Sequence, residues 1–108
     1  MADVIKRPGD TVTVSGTITN TGNMDVNVII TCYSIEYGAL GSSDFISLSP
    51  GASQYFTFSF TVPTNMVERS SLYLRVEDAT GEILWDDYTG YDLVKGYKAV
   101  EITAITVS

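Results

Sequence analysis

The sequence predicts an all-β fold, an immunoglobulin-like antiparallel β-sandwich of about seven to nine strands. Three observations lead to this prediction. Polar and apolar residues alternate in several short runs, as they do in strands that bury one face. Clusters of glycine, proline, asparagine and aspartate separate these runs at intervals of about 8–12 residues, and no run has the period of an amphipathic helix. The length of 108 residues is that of one domain, so we expect residues 1–108 to form a single unit.

The clearest strand follows a Pro-Gly pair near the start of the chain. Val12, Val14 and Ile18 occupy one face of this strand, and threonines occupy the other. Because successive side chains of a strand point to opposite faces, one face is predicted to lie in the core and the other in water. A short lead strand at residues 3–6 precedes it, and the turn-forming residues 20–23 end it.

Two longer strands are predicted in the middle of the chain. One spans residues 25–35, and the other follows a second Pro-Gly turn and ends at Pro63. Their core-facing residues are Val26, Val28, Ile30 and Cys32 in the first, and Phe56, Phe58, Phe60 and Val62 in the second. Residues 36–47 between them read as an irregular crossing, with a short strand formed by Phe45, Ile46 and Leu48.

A hairpin is predicted in the last third of the chain. Residues 63–71 form a loop, with room for one helical turn at residues 65–69. The strand that follows alternates through Leu72, Leu74 and Val76. Its hairpin turn is Asp78-Ala79-Thr80-Gly81, in which the glycine supplies the left-handed φ that the turn needs.

The chain beyond this hairpin contains one more predicted strand. Residues 82–88 return from the turn, and residues 88–97 read as a connection rich in tyrosine and glycine. Residues 98–108 then form the last strand. Its apolar alternation shifts between Ile102 and Ile105, which predicts either a β-bulge or burial of both faces.

Charge and cysteine usage exclude several classes of function. The net charge of −7 and the isoelectric point of 4.2 disfavour nucleic acid and anionic membranes as partners, because both would repel the chain. The sequence lacks histidine, the commonest general base and a frequent metal ligand, and Cys32 is its single cysteine. We therefore expect no enzymatic activity, no cofactor and a buried, unreactive Cys32.

The start of the chain carries no long apolar run, so neither a signal peptide nor membrane insertion is predicted. Two settings remain open for such a chain. It is either part of a longer protein at the cell surface or outside the cell, or a virion component that assembles where it is made.

An acidic cluster follows the predicted hairpin turn. Asp78, Glu82, Asp86 and Asp87 are its candidate Ca²⁺ ligands, because this ion is bound by six to eight oxygen atoms, often from loops. The spacing matches no EF-hand loop, and strand alternation sends the two adjacent aspartates to opposite faces. A solvated acidic edge is the alternative interpretation.

An aromatic cluster overlaps the acidic one. Trp85, Tyr88, Tyr91 and Tyr97 lie within a short stretch, and such side chains are enriched at protein interfaces because they bury a large area while keeping a polar group. Three interpretations remain open. Trp85 belongs to the core while the tyrosines cover sheet edges, or the group forms a protein contact, or it stacks on carbohydrate.

The turns resemble those of CARDB-type modules, the cell-adhesion-related immunoglobulin-like domains of bacterial and archaeal surface proteins. The resemblance spans about residues 8–76. Its matching positions are Gly9, Asp10, Asn20 and Gly22 in PGDTVTVSGTITNTGN, and Leu48, Pro50 and Gly51 in LSPGASQYFTFSFTVP. Many members carry an acidic, asparagine-rich segment near the last hairpin, where this chain has EILWDDY.

The resemblance implies a non-enzymatic module that spaces, decorates or assembles a surface structure, either in a prokaryotic envelope protein or in a virion. Its partner would then be protein, through self-association or through a larger assembly. The alternative function is that of a carbohydrate- or peptide-binding β-sandwich that uses Trp85 and the tyrosine-rich segment.

Overall fold

The computed structural model describes residues 2–108, which form an all-β protein with eight strands and no helix. No element of these residues therefore meets the length and hydropathy that a membrane-spanning helix needs. The strands are β1 (Ala2–Lys6), β2 (Thr11–Thr19), β3 (Val26–Ser34), β4 (Gly38–Ser42), β5 (Ile46–Leu48), β6 (Ser53–Thr61), β7 (Arg69–Asp78) and β8 (Ile83–Lys95).

The strands form two sheets of unequal size. The larger has the order β1-β8-β7-β3-β4, and β5 also pairs with β3, beside β4. The smaller contains only β2 and β6. Every pairing is antiparallel except that of β1 with β8, which is parallel. The large sheet is therefore mixed at this edge, whereas the sequence predicted a wholly antiparallel sandwich.

The core lies between the two sheets and follows the predicted alternation. Three phenylalanines dominate the contribution of the small sheet, and β-branched residues and leucines dominate that of the large one. The buried apolar residues include Val12, Phe56, Phe58 and Phe60 on one side, and Val28, Ile30, Cys32, Leu72, Val76 and Leu93 on the other. Cys32 is buried, as expected, and burial raises the pKa of its thiol to about 11.

Two turns join the sheets at one end of the sandwich, and both carry positions named in the resemblance. The Asn20 side chain donates through Nδ2 to the carbonyl of Leu48 at 3.0 Å, and its Oδ1 accepts the Gly22 N–H at 2.9 Å. The Gly51 N–H, at a φ of 81°, donates to the Asn20 carbonyl at 2.8 Å. These residues therefore serve a structural purpose.

The sandwich is closed on one side by β4. A Cβ atom at Gly41 would lie 2.9 Å from the Phe60 Cβ and 3.3 Å from the carbonyl oxygen of Ser59, so only glycine fits between β4 and β6 at this point. The edge of β6 that does not pair with β2 is therefore covered by β4. Across the small sheet, the outer edge of β2 pairs with no strand of residues 2–108.

Several elements differ from the sequence prediction. Residues 36–47 contain the regular strand β4, residues 65–69 contain no helical turn, and residues 69–71, predicted as loop, begin β7. β8 runs to Lys95 through the stretch predicted to be a connection. A register shift between Ser71 and Tyr73 accommodates extra residues of β8 there, which interrupts the alternation that a sequence pattern depends on.

The predicted last strand has no partner in the structure. Residues 98–108 carry no regular secondary structure, and all of them are exposed. This 98–108 segment follows Gly96, whose N–H donates to the Lys6 carbonyl at the end of β1. The molecule measures 79 Å along its longest axis but only 24 and 18 Å along the others.

Candidate interaction surfaces

A ladder of three tyrosines crosses the outer face of the large sheet, the face turned away from β2 and β6. Tyr33 of β3 lies opposite Tyr73 of β7, which lies opposite Tyr88 of β8. The ring centroids are 5.5 Å apart in each neighbouring pair. Aromatic pairs directly across strands stabilise a sheet, so this ladder ties three neighbouring strands together.

The outer hydroxyls of the ladder are already engaged. The Tyr33 hydroxyl donates to Asp86 Oδ1 at 2.5 Å, and the Tyr88 hydroxyl donates to Asp92 Oδ1 at 2.6 Å. Because each carboxylate stabilises the protonated phenol, the hydrogen bond to Asp86 raises the pKa of Tyr33 and that to Asp92 raises the pKa of Tyr88.

One guanidinium joins three strands next to this ladder. Arg69 of β7 donates through Nη1 to Asp3 of β1 at 2.8 Å and to Asp92 of β8 at 2.8 Å. Asp92 is only 2% exposed, although it lies on the outer face. The hydrogen bond from Tyr88 and then that from Arg69 lower the pKa of Asp92, and Arg69 lowers the pKa of Asp3.

A second arginine completes the outer-face network. The Arg75 guanidinium carbon lies 5.0 Å from the centre of the Tyr33 ring, within the range of a cation–π contact. Its Nε lies 2.8 Å from Glu77 Oε1, an ion pair without the alignment of a hydrogen bond. The charges of this face are thus largely paired with each other.

The structure does not assemble the predicted Ca²⁺ site. Asp78 is occupied by its own turn, where Oδ1 accepts the Thr80 N–H at 2.9 Å and the Glu82 N–H at 3.0 Å. Asp86 binds Tyr33, whereas Asp87 accepts the N–H of the adjacent Tyr88. Among residues 2–108, no group of three or more acidic or cysteine side chains converges to hold a metal ion.

The predicted aromatic cluster is divided between faces. Tyr88 lies on the outer face within the ladder, whereas Trp85 lies opposite Val76, a core residue, and so belongs to the core-facing side of the large sheet. Tyr91 is half exposed within β8, and Tyr97 lies beyond the last strand and is exposed. These four side chains do not form one continuous platform.

The core-facing side of β8 is incompletely covered. Trp85 is 51% exposed although it faces the same way as buried Val76. The cause is the size of the small sheet, which has two strands against the five consecutive strands of the large sheet. Trp85 is therefore not the core residue that one interpretation of the sequence expected.

The free edge of β2 presents unpaired backbone groups. The hydrogen bonds from the Asn20 N–H to the Ala52 carbonyl and from the Val62 N–H to the Asp10 carbonyl show which residues of β2 and β6 bond to each other. Even-numbered residues of β2 therefore point their N–H and C=O groups at β6, and odd-numbered ones point theirs at the free edge. The residues with edge-facing groups are Thr11, Thr13, Ser15, Thr17 and Thr19.

The 98–108 segment is the most exposed apolar part of the molecule. Val100, Ile102, Ile105 and Val107 are each at least 75% exposed. Tyr97, just before the segment, is 84% exposed. Contiguous exposed apolar side chains of this kind mark interaction sites in folded proteins.

Two shallow depressions also occur on the surface. The larger, of about 440 Å³, lies beside β3 and β5 and is lined by residues that include Val26 and Leu48. The smaller, of about 280 Å³, lies beside Arg69 and Tyr73. None of the site residues predicted from the sequence lines either depression.

Comparison with known proteins supports the fold and does not extend to a family. No protein-family model and no curated protein matches the chain. Among solved structures, the chain is similar to Spo0M, a sporulation control protein from Bacillus subtilis, with a TM-score of 0.60 and 15% identity. The match covers 87% of this chain and 46% of that one, so the chain spans less than half the length of that protein.

The sequence pattern of single segments does not predict the outer-face network. Tyr33 and Tyr73 lie at outward-facing positions of strands that the sequence predicted, and Arg69 lies at the start of β7. Alternation places the two tyrosines on the outer faces of their strands. Their partners on β1 and β8 come from distant parts of the chain, so the network depends on strand order, which alternation does not specify.

Proposed function

We propose that this protein is a non-enzymatic structural module that joins protein subunits in a surface assembly. The contact that does so is the 98–108 segment. A single observation carries the proposal: four large aliphatic side chains of this segment are each at least 75% exposed, on a backbone that pairs with no strand of residues 2–108. Burying an aliphatic side chain of this size is worth about 1.5–3 kcal/mol, which favours their burial against another protein.

The composition of the segment favours association through a strand. Val, Ile and Thr make up most of residues 100–107, and these β-branched residues are enriched in strands. A strand needs a neighbour, because its backbone hydrogen bonds are made to another strand. Residues 98–108 have none within residues 2–108, so we infer that the neighbour is supplied by another subunit.

The resemblance to CARDB-type modules suggests the setting of such an assembly. We propose a prokaryotic envelope structure or a virion, outside the cell or at its surface. The turn residues Asn20, Gly22 and Gly51 brace the sandwich, which suits a module whose task is mechanical. The likeness to Spo0M concerns the fold and adds nothing about the task.

Light scattering at rising concentration tests the proposal. We expect the average mass to exceed the monomer mass of 11.7 kDa in the micromolar range, about the affinity of many transient protein contacts. Ile102→Asp should weaken this association at least about tenfold, because it places a charge among the apolar contacts. Thr103→Asp is the matched control, with the same new charge on the adjacent residue.

Two results would contradict this proposal. A wild-type protein that stays monomeric up to about 100 µM contradicts it. An association that Ile102→Asp leaves unchanged contradicts the assignment to the 98–108 segment.

A further inference from the structure

We propose that the 98–108 segment of one copy binds as a third strand along the free edge of β2 in a second copy of this chain. The inference rests on the proposed function and names the partner of its contact. Two features of the fold support it: residues 98–108 are a predicted strand without a neighbour within residues 2–108, and the two-stranded sheet has one uncovered edge. An extended segment that adds to a sheet edge is a recurring mode of protein recognition.

The segment can present one continuous apolar face. Val100 and Ile102 share a face of an extended chain, and Ile105 and Val107 share the opposite one. A β-bulge inserts one extra residue and thereby restores the alternation. A bulge at residues 103–104 places all four aliphatic side chains on the same side, with Glu101 and Thr106 on the other.

β2 is the edge that this face fits. The second edge of the small sheet, on β6, is covered by β4 at Gly41. A strand added at an outer edge of the large sheet, beside β1 or β4, would have no strand of the small sheet opposite its apolar face. A strand added beside β2 lies instead over the uncovered part of β8, where half-exposed Trp85 faces the small sheet.

The backbone of β2 supplies the hydrogen bonds for the added strand. Its five odd-numbered residues direct their N–H and C=O groups at the free edge. Their side chains are four threonines and a serine, which all lie exposed on the outer face of the small sheet. Within residues 2–108, no side chain of β2 therefore obstructs a strand that approaches this edge.

A second copy is the occupant that shape and charge favour. The 98–108 segment is exposed along its whole length, and 11 extended residues reach at most about 40 Å, about half of the 79 Å length of the molecule. Lys98 and Glu101 cancel, so the 98–108 segment carries no net charge and residues 1–97 carry the whole −7. The segment of one copy therefore approaches the acidic sandwich of another without the repulsion that two sandwiches exert on each other.

Two variants block the two halves of the contact separately. Ser15→Pro removes an edge-facing N–H of β2, and Ser15 is exposed and makes no side-chain hydrogen bond within residues 2–108. Thr57→Pro is its matched control, because Thr57 lies opposite Ser15 and points its N–H at the other edge of β6. Ile102→Asp blocks the donated segment.

Mixing the variants is the decisive experiment, with circular dichroism to confirm that each is folded. We expect Thr57→Pro to associate like the wild type. Ser15→Pro and Ile102→Asp should each stay monomeric alone and form a 1:1 dimer when mixed. In that dimer the intact segment of the first fills the intact β2 edge of the second, and no free site remains for growth.

The other outcomes overturn the inference in distinguishable ways. A Ser15→Pro protein that associates like the wild type shows that segments pair with each other, which overturns the β2 assignment and leaves the proposed function standing. A mixture that stays monomeric overturns the inference as well. A wild-type protein that is monomeric at every concentration overturns both the inference and the proposed function.

Discussion

Arg69 joins β7 to the adjacent strand β8 and to the edge strand β1 through a single guanidinium. It contacts Asp3, which is exposed, and Asp92, which is almost completely buried. A buried carboxylate depends on its partners, because a charge left unpaired away from water is strongly unfavourable. The stability of this corner of the fold should therefore depend on Arg69 more than on the other arginine of the face.

Arg69→Met tests this dependence. The substitution keeps much of the aliphatic length and removes the two ion pairs, so we expect a clearly lower melting temperature. Arg75→Met is the matched control on the same strand, because it removes one partly exposed pair with Glu77 and should have a small effect. Equal decreases in the melting temperatures of the two variants would contradict the dependence of buried Asp92 on Arg69.

The same network predicts how stability varies with pH. Arg69 lowers the pKa of Asp3, and Tyr88 together with Arg69 lowers the pKa of Asp92, so their contribution is present above pH about 4 and is lost as the pH falls further. Melting temperatures measured from pH 2 to pH 7 should show this acid limb. Arg69→Met should flatten it, and a limb of unchanged steepness in that variant would count against the assignment.

At alkaline pH the stability changes in the opposite direction and falls as the pH rises. Hydrogen bonds to carboxylates raise the pKa of Tyr33 and Tyr88, and burial raises that of Cys32 to about 11. Groups whose pKa is raised on folding contribute stability that is lost as the pH rises, from about 8.5 for the thiol and about 10 for the phenols. The acid and alkaline limbs together leave a plateau of greatest stability between about pH 5 and 8.

The strands, taken one by one, show where a sequence pattern is sufficient. β2, β3, β6 and the part of β7 that begins at Leu72 alternate without interruption, and the structure confirms each of them. β8 was predicted only as far as Tyr88, because a register shift opposite Ser71 and Tyr73 interrupts its alternation. β4 was missed because its glycines and serine resemble a loop, although Gly41 is there for close packing against β6.

Gly41→Ala tests that interpretation of β4. The added methyl group would meet Phe60 and Ser59 too closely, so we expect a destabilisation of about 1–3 kcal/mol, typical of an overpacked site. Ala39→Ser is the control, since it enlarges an exposed side chain of the same strand. Urea unfolding of both variants gives the comparison. A neutral or stabilising Gly41→Ala would show that β4 and β6 can separate without cost.

The whole molecule shows what strand patterns alone do not specify. The sequence predicted a strand at residues 98–108 and the shift in its alternation, but the structure contains no neighbour for it within residues 2–108. Strand order depends on contacts between distant segments, so the unequal sheets and the free edge of β2 became visible only in the structure. The acidic and aromatic candidates are close in sequence, but those within β8 are divided between its two faces, and Asp78, Glu82 and Tyr97 lie outside that strand.

Residue-resolved amide hydrogen exchange of the full chain at low and high concentration tests most directly whether the 98–108 segment pairs with β2. We expect the edge-facing amides of Thr13, Ser15 and Thr17 to exchange quickly in the monomer and to become protected in the assembly, together with amides of the 98–108 segment. The even-numbered amides of β2, already bonded to β6, should be protected at both concentrations. Protection that appears in the 98–108 segment while the odd-numbered amides of β2 stay unprotected would show that the segment does not pair with β2.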